Sequence, residues 1–265
     1  MNRTFSSYLP EPHPVAFTLL GIDIMWYGIL IAAGIVLAAI LIYIRAESHG
    51  IKPDRTLDMM LICLPLGIIG ARVYYVFFEW DYYAGDLMKM INTREGGLAI
   101  HGGLLFGLTG AAILCHRWSI RPLNLLDLAA PSIALAQSIG RWGNYFNSEA
   151  HGGPTDLPWG IPINGEMVHP TFLYESVWCF LLFVFLILLA RRRSFEGQIF
   201  LLYGILYSIE RFLVEGLRTD SLMLGPFRQA QLLSLAIILI FTAAYFILKR
   251  RHPKNKTRSA RQSRK

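Results

Sequence analysis

Residues 140–153 read GRWGNYFNSEAHGG and set Arg141, Asn144, Asn147, Glu149 and His151 close together at the end of an apolar run. A second polar segment, YSIERFLVEGLRTD (207–220), carries Tyr207, Arg211, Glu215 and Arg218 at i, i+4, i+8 and i+11, one face of a helix. Gln137, Arg141, Asn144 and Ser148 share a face in the same way. A guanidinium offers paired donors matched to phosphate or carboxylate oxygens. Two Arg-centred stripes facing one cavity would therefore bind an anion, and the chemistry to expect is on a phosphorylated group. The competing reading is structural, with Arg141 paired to Glu149 and Arg211 to Glu215.

His101 lies between two glycine pairs in GGLAIHGGLLFG (96–107). Near intramembrane arginines it is a general-base candidate; alone, a hydrogen-bonded structural histidine is the plainer reading. The glycines would let a ligand or a neighbouring helix approach the backbone closely. Other chemistries lack their patterns. His101, His151, His169 and Glu149 show no HExxH spacing, so no metal is expected. No GxSxG marks a nucleophilic serine. GGxxxHGG follows no strand and is no nucleotide fingerprint, and no cofactor is expected. Cys63, Cys115 and Cys179 sit at no metal or redox spacing and read as packing residues.

The elements that must position these residues are written in the hydropathy. The 265 residues are 54% apolar, with a mean hydropathy of +0.43, and the apolar residues come in blocks. About 20 residues at about 1.5 Å each span a hydrocarbon core. Four blocks are almost uncharged: Ile24–Ile44, Leu98–Cys115, Ser176–Ala190 and Gln229–Leu248. Three more are interrupted by Arg72, by Arg141, and by Glu210, Arg211 and Glu215. The expectation is a single all-α integral membrane domain, residues 1–265, with seven transmembrane helices near 18–44, 57–80, 98–116, 125–147, 170–190, 198–216 and 228–248. A basic tail, 249–265, follows. The first block is too long for a signal-peptide core and lacks a basic start, so no cleaved leader is expected. No internal repeat is visible.

Charge then orients the helices. The tail and the loops at 45–57, 117–121 and 191–193 hold 17 Lys and Arg, against four in the segments 1–17, 81–97, 148–168 and 217–226. By the positive-inside rule the N-terminus is outside and the tail cytoplasmic. A tail that contacts anionic lipid explains its charge, and no nucleic-acid partner is expected. In this topology Arg72, His101, Arg141, Asn144, His169, Tyr207 and Arg211 all fall toward the outer leaflet. Polar groups in lipid are costly, and a shared depth argues for a site rather than scattered ties. The long outer loops, 81–97 and 148–168, would cap the cavity.

These residues resemble a family. GRWGNYFNSEAHG is similar to the signature of the bacterial prolipoprotein diacylglyceryl transferases, G-R-x-G-N-F-hydrophobic-N-x-E-x-x-G, with Tyr145 at the usual Phe. WYG (26–28), GGLAIHGG (96–103), HPTFLYE (169–175) and YSIERFLVEGLRTD occur in the family's order, over about residues 15 to 248. The resemblance implies a multi-pass enzyme of the bacterial inner membrane that moves the diacylglyceryl group of phosphatidylglycerol to the lipobox cysteine of a prolipoprotein. A thioether forms and glycerol phosphate leaves, the first step of lipoprotein maturation. It implies importance for Tyr27, His101, Arg141, Asn144, Glu149, Gly152, Tyr207 and Arg211, with Glu215 and Arg218 close by. On this reading Arg141 and Arg211 hold the phosphate, while Asn144 and Tyr27 support the headgroup. His101 is the first choice for taking the thiol proton, Tyr207 the rival, and Glu149 an orienter of Arg141. Catalysis is thus expected of His101, Arg141, Tyr207 and Arg211. Substrate binding is expected of Arg141, Asn144, Tyr27, Glu149, Gly152, Glu215 and Arg218. The alternative is a transporter or channel for an anionic solute, using the arginines for selectivity.

Overall fold

A computed structural model describes residues 12–93, 96–163 and 165–251. Most of the expected basic tail, from residue 252 on, lies outside the described residues, as does Arg3. In chain order the elements are the strands β1 (Val15–Leu19) and β2 (Ile22–Met25), then helices α1 (Trp26–Ala46), α2 (Pro53–Phe78), α3 (Trp80–Tyr83), α4 (Leu87–Ile91), α5 (Ile100–Arg117) and α6 (Pro122–Phe146). Strands β3 (Ile161–Ile163) and β4 (Glu166–Val168) follow, then α7 (Thr171–Ala190), α8 (Gln198–Glu215), β5 (Met223–Leu224), β6 (Phe227–Arg228) and α9 (Gln229–Arg251).

Four of these helices are long and apolar enough to cross a membrane: Trp26–His49, Pro53–Phe78, Thr171–Ala190 and Gln229–Arg251. Their outer faces leave large apolar side chains uncovered, Leu61, Phe77 and Leu239 each being 70% exposed or more. Faces of that kind are stable against lipid, not water. The protein is mostly helical and of the membrane class.

The helical expectation needs one correction. Residues 15–25 are not the start of the first helix but an antiparallel hairpin, with Leu20 and Gly21 both at positive φ in the turn. Thr18 and Asp23 face each other across it, the Thr18 hydroxyl donating to Asp23 Oδ1 at 2.6 Å. A two-residue turn with left-handed φ suits the twist of a hairpin, and Gly21 supplies it without strain. Helix α1 therefore begins at Trp26. Two further hairpins, β3–β4 and β5–β6, also qualify the all-α expectation.

The chain divides into two compact units, one of Leu41–Leu125 and the other of the residues before and after it. In the Leu41–Leu125 unit, α2 and α5 run against each other through small residues. A Cβ on Gly102 would lie 2.3 Å from the Gly70 carbonyl oxygen, and one on Gly70 2.4 Å from Phe106. Of the two uses foreseen for the glycines around His101, Gly102 thus serves the neighbouring helix. Arg72 is buried and spends its guanidinium on backbone carbonyls of Lys89, Met90, Asn92, Gly96 and Gly97, at 2.6–3.0 Å. Tyr83 covers it, 4.9 Å from ring centroid to guanidinium carbon. Arg72 holds the segment around α3 and α4 in place and has no donor to spare for a phosphate.

In the other unit α6, α7 and α8 form one core, with Ala130, Ala134, Leu182, Leu186 and Ile199 buried together. Asp127, fully buried on α6, sets α8 in position. It accepts hydrogen bonds from the backbone N–H groups of Gly197 (2.7 Å) and Phe200 (2.9 Å) and pairs with Arg193 at 3.1 Å. The first turn of α8 contains no acidic residue. A carboxylate from another helix therefore satisfies orphan N–H groups and the positive helix end. Hairpin β3–β4 closes a second cluster, Ile161, Ile163 and Val168 against Tyr145 and Phe172.

Candidate active site

Helices α6 and α8 bring the two polar stripes face to face. Tyr203 donates its hydroxyl to Gln137 Oε1 at 2.8 Å, and Arg141 Nη2 donates to Tyr207 Oη at 3.3 Å. Between them, from α7, comes Glu175. Its Oε1 lies 3.1 Å from Arg141 Nη2 and 3.1 Å from Arg211 Nη1. Arg211 Nη2 reaches Glu215 Oε2 at 2.7 Å, one turn on. Arg218 then grips Asp220 with Nε at 2.9 Å and Nη2 at 2.8 Å, 4.0 Å from Glu215. Arg228 donates to the Glu215 carbonyl. Tyr207, Arg141, Glu175, Arg211 and Glu215 are one connected network.

Burial within the network is lopsided. Arg141 and Arg211 are 20% and 22% exposed, whereas Glu175 and Glu215 are 1% and 3%. The acids lie behind and the guanidinium groups in front, where a further anion can reach them. Arg141 meets Glu175 and Tyr207 through Nη2 alone and keeps its other nitrogens for a further anion, whereas Arg211 spends Nη1 on Glu175 and Nη2 on Glu215. Glu175 Oε2 has no hydrogen-bond partner among the described residues. Burying charges is tolerable only with such pairing, so each member depends on the others.

Glu149 does not orient Arg141, which is held by Glu175 instead. Helix α6 ends at Phe146, Ser148 and Ala150 take left-handed φ values, and the Glu149 N–H bonds back to the Asn144 carbonyl at 3.0 Å. The reversal places Glu149 Oε1 2.9 Å from Asn144 Nδ2 and 3.4 Å from Asn147 Nδ2. Asn144 and Glu149 thus form a neutral donor and an acid locked together, a few residues on from Arg141 in sequence. Tyr27, partly exposed, lays its ring on Gly143, where any Cβ would come within 2.5 Å of it.

Gly152 is a structural joint. It pairs with Arg218 in an isolated antiparallel bridge, and its N–H donates to the His169 carbonyl at 3.0 Å. A Cβ there would stand 2.6 Å from His169 Cβ. His101 belongs to the other unit, exposed in the first turn of α5 with its ring 6.2 Å from that of Tyr74.

Sequence reasoning missed Glu175, although it ends the HPTFLYE segment. An acid inside an otherwise uncharged helix was the available signal, because lipid makes an unpaired one prohibitive. Glu210 was also passed over. It is buried on α8, and neither carboxylate oxygen has a hydrogen-bond partner among the described residues.

Comparison with known proteins shows the family of the chain. The family model described as "Prolipoprotein diacylglyceryl transferase" matches residues 14–247. A relative from Clostridioides difficile (strain 630), named phosphatidylglycerol--prolipoprotein diacylglyceryl transferase, is 50% identical over 241 residues, 91% of this chain and 97% of its own. One of the same name from Finegoldia magna is 51% identical over 226 residues, 85% of this chain and 91% of its own. Another, from Clostridium novyi (strain NT), is 46% identical over 238 residues, 86% and 93% of the two chains.

Proposed function

The chain belongs to the prolipoprotein diacylglyceryl transferase family, and from that premise we propose that it moves the diacylglyceryl group of phosphatidylglycerol to a prolipoprotein cysteine. The observation that carries the reading at the level of residues is the convergence of Arg141 and Arg211 on one buried oxygen of Glu175. Family membership removes the reason for the transporter alternative.

The chemistry asks for what this network has. The cysteine sulfur attacks the glycerol carbon that bears the phosphate ester, a C–S bond forms, and the C–O bond breaks. The thiol proton passes to a base, and glycerol phosphate leaves with its added negative charge. Arg141 and Arg211 face that phosphate, and their positive charge stabilises the negative charge as it develops in a site with little water. Glu175 and Glu215 fix the two guanidinium groups beforehand, so that little reorganisation is needed at the moment of reaction. Asn144, turned by Glu149, and Tyr27 hydrogen-bond the headgroup. Tyr207 and His101 are the two groups assigned to the proton, since the thiolate is the nucleophile.

On this reading seven helices cross the bacterial inner membrane, with α5, α6 and α8 added to the four apolar ones. The N-terminus is outside and the site is toward the outer leaflet, where a lipobox cysteine of an exported precursor emerges. The distribution of Lys and Arg supports this topology. The test is to incubate the purified protein with phosphatidylglycerol and a lipobox peptide and to weigh the peptide. A diacylglyceryl mass gain, absent from a Cys→Ser peptide and from the Arg141→Ala protein, is the expected result. No gain from folded protein that binds the lipid would overturn the proposal.

A further inference from the structure

We propose that a cavity in the Leu41–Leu125 unit, formed by the turns before α2 and after α5, binds a phosphate-bearing anion independently of the transfer site. It measures about 710 Å³ and is lined by His49–Lys52, Arg55 and the stretch Arg117–Arg121 with Asn124. Lys52, Arg55, Arg117 and Arg121 therefore surround one polar space, and no Asp or Glu is among the described residues that line it.

The charges there run against the rule for helix ends. A helix N-terminus carries partial positive charge and favours acids nearby. Here Lys52 is the N-cap of α2, Arg55 lies in its first turn, and Arg121 immediately precedes α6, whose first turn has no acid. Asp54 offsets part of this at α2. Arg55 comes only within 4.0 Å of Asp58, with both side chains about half exposed, so solvent screens that pair. Two positive helix ends and four cations share one space, and their combined field favours an anion there.

The cavity is also held in shape. The Arg55 guanidinium stacks over Trp118 at 4.7 Å. Buried Asn124 donates to the His49 carbonyl at 2.6 Å and ties the two turns together. Ser119 is kept at a φ of +54°, a left-handed conformation costly for serine. Membrane topology accounts for cations on one side of a bilayer. It does not account for a stacked arginine, a strained turn and a tie around an open space. Guanidinium and ammonium groups in this arrangement match phosphate oxygens, whether on a lipid headgroup or on a soluble phosphate.

The test uses the full chain, purified in detergent and stripped of lipid. Phosphatidic acid and, separately, inorganic phosphate are titrated in, and bound molecules are counted by native mass spectrometry. The unaltered protein is compared with the double variant Arg117→Gln, Arg121→Gln and with Arg141→Gln. We expect the double variant to bind the probe about thirtyfold more weakly, the scale set by removing two cations near an anionic headgroup. Arg141→Gln keeps this binding event. Retention of phosphatidic acid that inorganic phosphate does not displace identifies a lipid headgroup; displacement identifies a soluble anion. Equal binding of both probes by the unaltered and double-variant proteins overturns the proposal, as does loss of the same event in Arg141→Gln. Lys52→Gln with Arg55→Gln repeats the comparison from the other turn, with circular dichroism confirming the fold of each variant.

Discussion

Glu175 Oε1 stands 3.1 Å from Arg141 Nη2, with the carboxylate sealed from solvent and the guanidinium one-fifth exposed. In the proposed mechanism the acid aims the cation that meets the phosphate. Removing its charge while keeping its shape should therefore disturb the chemical step more than folding. Glu175→Gln is expected to lower kcat on the order of 100-fold, the scale for misplacing a positioned group. Steady-state kinetics with phosphatidylglycerol and a lipobox peptide check it. An unchanged kcat with a raised KM would show Glu175 acting in binding alone.

Arg211 divides its guanidinium between Glu175 (3.1 Å) and Glu215 (2.7 Å). A lysine keeps the charge but cannot bridge both acids and still face a phosphate. Arg211→Lys should lose about 100-fold in kcat/KM, in the range for deleting one donor to a developing oxyanion. Activity within a fewfold of the unaltered protein would mean that charge alone suffices there.

Much of this network was legible in the sequence, and the reasons differ by residue. The stripes of α6 and α8 follow from helical periodicity, which fixes who shares a face, so Arg141, Tyr207, Arg211 and Glu215 were found. Glu175 was not, because it is the only acid in its helix and makes no stripe. Glu149 was found but given the wrong neighbour. Periodicity stops at Phe146, and the left-handed Ser148 turns the next residue back to Asn144. The hairpin at 15–25 was hidden for a related cause, since its apolar residues continue those of α1. Arg72 was legible as a buried cation, but its partners are backbone carbonyls that no side-chain pattern reveals.

Asp127 binds two N–H groups of α8 and Arg193 at once, while wholly buried. Its loss leaves a cation and a helix end unsatisfied together. Asp127→Ala should destabilise the protein by about 3–5 kcal/mol, the cost of breaking a buried pair from one side. Thermal unfolding in detergent measures it; a loss below about 1 kcal/mol, the worth of an ordinary cap, would contradict the arrangement.

Gly152 has no room for a methyl group beside His169 and bridges to Arg218. Gly152→Ala should cost about 1–3 kcal/mol, as overpacking does, and displace the backbone bridge to Arg218. Lower Tm with reduced activity is the expected pair of readings. Full activity at full stability would show that the backbone moves aside freely.

Hydrogen bonds from Arg218 hold the Asp220 carboxyl below the usual carboxylate range, outside the helices. A depressed pKa adds stability above the unfolded value of about 3.9, lost as pH falls through the lower folded value. Asp220 is half exposed, so the effect is small. The Tm deficit of Asp220→Asn should be constant at neutral pH and shrink as the pH drops below about 4. A deficit independent of pH would mean that the carboxylate's charge contributes nothing.

The proton remains to be assigned between His101, exposed at the start of α5, and Tyr207, whose hydroxyl accepts from Arg141 at 3.3 Å. A base is needed because a thiol is mostly protonated near neutral pH, with an ordinary pKa of about 8.5. A selenol ionises far more readily and needs no base. A lipobox peptide with selenocysteine in place of cysteine should therefore rescue a variant that has lost the base, and should not rescue Arg141→Ala, which on the proposed mechanism lacks a phosphate contact. Rescue of His101→Gln alone assigns the proton to the imidazole; rescue of Tyr207→Phe alone assigns it to the phenol. If neither variant responds, both residues serve in positioning, and the proton leaves by another group.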